Sequence, residues 1–173
     1  MANPPLHERL AFDVSQGQVL DANRRYVLMR ADVLMGMFGF MPEPMSRQAL
    51  AALARSVEVH GSDSVRAYDN SADPSGLQLF DAVAQGASSL GWGVWKFDPA
   101  PGIVRLTVRN SPFAAAARAV GAPACAPIVG MMQAVCSHVW KAKCVAVEIE
   151  CSACAAQGYA PRQPLCVFEA SPT

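Results

Sequence analysis

All six cysteines of this 173-residue chain fall between residues 124 and 170, and four of them share a frame with carboxylates. The frame runs Cys125, then Glu148-Ile149-Glu150-Cys151-Ser152-Ala153-Cys154, then Cys166-Val167-Phe168-Glu169. Thiolate sulfur, imidazole nitrogen and, less often, carboxylate oxygen are the donors of structural zinc sites, which take four ligands converging from separate chain segments. Cys125, Glu148, Cys151 and Cys166 make one such set. Cys151 and Cys154 are a C-x-x-C pair, half of a familiar zinc spacing, so Cys154 in place of Glu148 or Cys125 makes another. Spacing does not choose between them. Two plainer chemistries compete: buried cysteines serving as small hydrophobes, as Cys136 and Cys144 suggest, and a redox pair. The redox reading is the weaker, because no strand-to-helix turn precedes Cys151 to depress its pKa at a helix N-terminus.

Positioning such a site requires strands and a helix end, and the periodicities supply them. Segments 10–14, 18–20 and 24–30 read as an antiparallel meander broken by Ser-Gln-Gly and Asp-Ala-Asn, followed by a short helix over 31–40 that Pro42 and Pro44 end. Ser46 reads as the N-cap of a helix over 47–70, with an interruption at His60-Gly61, and Asp73 or Ser75 starts a second helix to Leu90 that packs against it. Residues 91–97 and 103–109 alternate as a hairpin across a five-residue loop, with Arg105, Thr107 and Arg109 on one face and Val104, Leu106 and Val108 on the other. An alanine-rich connection follows Pro112 and breaks at Gly121-Ala122-Pro123. A helix from Cys125 or Ala126 to Trp140 or Lys141 and strands over 144–151 and 165–170 complete an α+β domain, helices packed on one antiparallel sheet. Cys125 then opens a helix, Glu148 and Cys151 end a strand, and Cys166 starts the next. The loop over 155–164, rich in glycine and proline, is placed to wrap a metal.

Composition narrows the function. At this length the chain reads as a single domain, 1–173, able to bury roughly 70% of its unfolded surface without disulfides. It is 52% hydrophobic and 16% charged, greasier than an average soluble domain, which points to an apolar cavity or interface. Formal net charge is zero and no basic run occurs, so nucleic acid is a poor partner. The N-terminus lacks an export signal and 124–140 is too short and polar for a membrane span, so a cytoplasmic protein without a transmembrane helix is expected. No nucleophile motif, phosphate-binding glycine loop or dinucleotide fingerprint is present. Glu148 and Glu150 fall on one strand face, but with Glu148 assigned to the metal no acid/base pair is left over.

The pattern Pro123-Ala-Cys125-Ala-Pro-Ile-Val-Gly130, a helix, Val145-Ala-Val-Glu148-Ile-Glu-Cys151, a turn with Gly158 and Cys166-Val-Phe-Glu169 resembles the vinyl-4-reductase domain. Residues 103–170 carry the resemblance most strongly, as the zinc-binding core motif. Residues 24–36, within the N-terminal strands and short helix of 1–45, resemble the opening of stand-alone members. That family includes phenol- and xylene-sensing regions of bacterial transcription activators, a bacteriochlorophyll 4-vinyl reductase-type protein and predicted hydrocarbon binders. Its α+β ligand-binding fold is shared with a TRAPP-type Golgi transport subunit and haem nitric oxide sensors. The resemblance implies a structural Zn2+ on Cys125, Glu148, Cys151 and Cys166, with Cys154 a spectator or alternative ligand. The turn before Cys166 is longer here than in the phenol sensors and lacks their Asp and His.

In those sensors the ligand lies in an apolar cavity with a histidine and a tryptophan. The local candidates here are His60, Tyr68, Trp92, Trp95 and Phe113, an aromatic wall plus a hydrogen-bond donor. His138, on an apolar helix, reads as a satisfied core residue rather than a haem ligand. The resemblance thus implies a zinc-stapled, homodimeric binder of a small apolar or aromatic molecule, acting as sensor, carrier or accessory factor. With no helix-turn-helix or ATPase region, its output would pass through a protein partner. The alternatives are an enzyme or enzyme subunit of tetrapyrrole metabolism, its cofactor brought by another protein, and a ligand-free dimeric adaptor. A binder is favoured over a catalyst.

Overall fold

A computed structural model describes residues 4–69, 73, 75–117, 123–154 and 165–173. The expected break at 121–122 and the loop at 155–164 lie outside the described residues. A four-residue helix α1 (Leu6–Arg9) precedes strands β1 (Ala11–Asp13), β2 (Gln18–Asp21) and β3 (Arg24–Tyr26), which form a three-stranded antiparallel sheet. One buried side chain, Leu6, anchors α1, too little to leave a periodicity. Helix α2 (Ala31–Gly39) follows, burying Met35 and Phe38.

Helix α3 (Glu43–Tyr68) differs from expectation at three points. It begins at Glu43 with Pro42 as N-cap, so Ser46 lies inside its first turn. Pro44 is tolerated there because the first amides of a helix have no intrahelical carbonyl to lose. The helix also runs unbroken through His60-Gly61. Finally, its main packing partner is α6 (Ala126–Trp140), with a smaller contact on α4 (Leu77–Ser89). Gly130 explains the close crossing, since a Cβ there would collide with the Ala54 carbonyl of α3 and lie 3.1 Å from the Glu58 nitrogen.

The second sheet contains β4 (Val94–Ala100), β5 (Ile103–Arg109), β6 (Cys144–Glu150) and β7 (Leu165–Pro172) in the order β4-β5-β7-β6, each neighbouring pair antiparallel. The described residues therefore form two sheets rather than the one expected. The β4–β5 hairpin closes through two residues, not five, because the ladder continues through Pro99↔Val104 and Ala100↔Ile103. Pro99 fits because β4 is an edge strand, and Pro101-Gly102, with Gly102 at φ +74, supplies a tight turn. Helix α5 (Pro112–Ala116) is capped by Ser111, whose hydroxyl accepts from the Ala114 amide.

Val104, Leu106 and Val108 of β5 and Phe168 of β7 face Ile128, Met132 and Val135 of α6 within one core. Each such side chain contributes about 1.5–3 kcal/mol by burial. Helix α6 is thus fixed between the sheet and α3, with its N-terminus at the cysteine frame. Among the described residues no helix is long and apolar enough to cross a membrane.

Candidate metal centre and adjoining cavity

Cys125 is the N-cap of α6, Cys166 lies on the inner face of β7 opposite Val108, and Glu148 and Cys151 come from the end of β6. An odd spacing of three would put Glu148 and Cys151 on opposite faces of a regular strand. A bulge corrects the phase: Glu148 pairs with Phe168 and Glu150 with Val167, so Ile149 is the extra residue. Cys151 is turned inward, and Glu150 is exposed and does not share the Glu148 environment as the alternation had implied.

The donor atoms of Cys125, Glu148, Cys151 and Cys166 all lie within 4.8 Å of one another, a group that could hold a metal ion. All three cysteines are buried. Cys154 is exposed in the turn after Cys151 and outside that group, its amide donating to the Cys151 carbonyl. Cys136 and Cys144 are buried in the core.

The polar accounting at this site is incomplete in one place. Glu148 Oε2 accepts the Cys125 amide at 3.1 Å, but Oε1 is buried with no hydrogen-bond partner. An orphaned carboxylate oxygen among three thiols is costly unless a proton or a cation meets it. Burial, then the adjacent Cys151 thiol, push the Glu148 carboxyl up to about 8. Hydrogen bonds to Cys151 and Cys166, followed by burial, drive the Cys125 thiol far above its ordinary value. The same Cys125 and Cys151 contacts hold Cys166 down, to about 3. A dication held by these four donors would displace the protons they carry.

Outer contacts already suit negative sulfur. Ser111 Oγ lies 3.2 Å from Cys125 Sγ, and the Ser152 amide donates to Cys166 Sγ at 3.4 Å. The N-terminus of α6 adds its dipole behind Cys125 and Glu148.

A cavity of about 320 Å³ lies between α3, α4, β3 and the middle of α6. His60, Tyr68 and Trp92 line it. Trp95 does not: it is buried, donates its indole N–H to the Trp92 carbonyl at 3.1 Å, and borders a separate groove with Pro5 and Ala84. Phe113 is a core residue set edge-on to Trp92, ring centroids 5.2 Å apart. Met131, six residues after Cys125 and so about 9 Å along the helix axis, reaches the cavity from α6. His138 bonds Asp69 Oδ2 at 2.6 Å rather than facing the cavity.

The fold matches that of a phenol-sensing domain. The crystal structure of the phenol-responsive sensory domain of the transcription activator PoxR with phenol superposes with a TM-score of 0.76, covering 96% of this chain and 86% of that one. Identity to the PoxR domain is 15%, so the likeness is one of fold. No protein-family model and no curated protein matches the sequence.

Several cavity residues escaped sequence reasoning. Gly61 and Gly86 leave the hollow between α3 and α4, and Arg24, Arg25 and Tyr26 close one side from β3. The His60-Gly61 pair, which reads as a helix break, is a notch in an intact helix: a Cβ on Gly61 would come within 2.9 Å of Met131 Cε. Small residues at facing helix positions were the available clue.

Proposed function

We propose that this chain is a zinc-stapled binding domain for a small apolar or aromatic molecule, working as a sensor or carrier. The observation that carries the clasp is the buried Cys3Glu group with its orphaned Oε1. Zinc suits it: Zn–S bonds of about 2.3 Å in a tetrahedron place sulfurs about 3.8 Å apart, and Cys125 Sγ to Cys166 Sγ is 3.8 Å. In this reading Cys125, Glu148, Cys151 and Cys166 hold the ion, which joins two strands to the start of α6, and Cys154 is a bystander. The metal is structural, since four protein ligands leave no open position for substrate.

The binding site is the cavity behind it. Its size lies within the range of small-molecule sites, it is lined by Trp92, Tyr68 and His60, and the PoxR sensory domain, of like fold, was crystallised with phenol. Calorimetric titration with phenol and 2-naphthol tests this. Saturable one-to-one binding is expected, weakened about tenfold or more by Trp92→Ala through loss of an aromatic wall. Absence of binding by either compound contradicts it.

A further inference from the structure

We infer that the ligand of this cavity is an amphipathic acid, an aromatic or alicyclic body carrying a carboxylate that meets Arg24. The inference rests on reading the cavity as the binding site. The walls are apolar, with Val57, Val65, Val83, Leu90, Trp92 and Met131. The charged lining is of one sign: Arg24 and Arg25 are present, and no aspartate or glutamate is among the described lining residues.

Six described arginines are paired with carboxylates. Arg9 pairs with Asp21, Arg30 with Asp32, Arg47 with Glu43, Arg55 with Glu58, Arg66 with Asp63 and Arg105 with Glu169. Arg24 is not. Its Nη2 makes one long bond, 3.5 Å, to the Asp63 backbone carbonyl of α3, while the Asp63 carboxylate is engaged by Arg66. Arg25 likewise donates at 3.4 Å to the Gly17 carbonyl, from the opposite face of β3. Arg24 shares its half-buried face with Tyr26, toward the cavity. A guanidinium at the exposed rim of the cavity, held by a distant carbonyl, keeps most of its planar donor fork for a carboxylate, which it engages in a charge-assisted, bidentate manner. A neutral phenol would use none of that charge.

Calorimetry on the full chain with 2-naphthoate and its neutral isostere 2-naphthamide decides the matter. The acid should bind about tenfold or more tightly, the preference shrinking as salt rises. Arg24→Gln should abolish that preference, read as the ratio of acid to amide affinity in the same variant, and Arg24→Lys should restore part of it. Equal or tighter binding of the amide, or a preference that survives Arg24→Gln, overturns the acid while leaving the cavity as a binding site. Binding of neither compound overturns both readings.

Discussion

Glu148 is the residue on which the metal account turns, because its chemistry differs with and without a cation. Its carboxyl is raised to about 8 by burial and by the Cys151 thiol, so at neutral pH the metal-free site holds a proton that a cation must displace. The Cys125 thiol, raised further, holds another. Metal uptake therefore releases protons, and affinity rises with pH by up to about tenfold per unit for each proton displaced. Competition titrations at pH 6, 7 and 8 should show apparent zinc affinity climbing across the series, together with acidification of a weakly buffered sample. A flat profile would mean that these groups are not the ligands. At this scale the sequence was partly legible. Residue types and spacing pointed to the segments whose donor atoms converge, but could not say that Cys154 is exposed, because the direction of a side chain in a turn has no periodicity. Nor could they reveal Arg24, whose significance lies in a missing partner.

Helix α6 links the two halves of the account, carrying Cys125 at its N-cap and Met131 at the cavity. Its closeness to α3 depends on Gly130, where a methyl group would meet rigid backbone. Gly130→Ala should therefore cost about 1–3 kcal/mol, lowering Tm by about 2–12 °C in a chain of this size. Gly36→Ala is the control: nothing lies within 4 Å of the added carbon, so a small gain from reduced chain entropy is expected. Paired thermal melts check both, and equal behaviour would contradict the packing assigned to Gly130. The long helices and the sheet strands were visible as hydrophobic periodicities. The first turn of α3, the two-residue hairpin loop and the β6 bulge were not, because prolines read as breakers in sequence and a bulge appears only against its partner strand.

At the scale of the whole molecule, exposed apolar residues cluster in sequence around α2. Val27, Leu28 and Met29 are exposed, and Val33, Met37 and Phe40 project from one face of α2, Phe40 being 93% exposed. Exposed apolar residues grouped in this way suit an interaction surface. A second copy of the chain is the proposed occupant, and light scattering on the purified protein should give a dimer that Leu28→Glu with Phe40→Glu converts to a monomer still holding metal. A monomeric wild-type chain contradicts this. Composition signalled only excess hydrophobicity; which residues stay exposed depends on the burial of Met35 and Phe38 on the opposite face of α2. The metal clasp itself has its most direct test in elemental analysis of the purified wild-type chain beside its Cys166→Ser, Cys154→Ser and Cys136→Ser variants. We predict one zinc per chain, lost with Cys166→Ser and kept in the other two. A fully stable wild-type protein without metal, or one whose zinc survives loss of Cys166, would contradict the account.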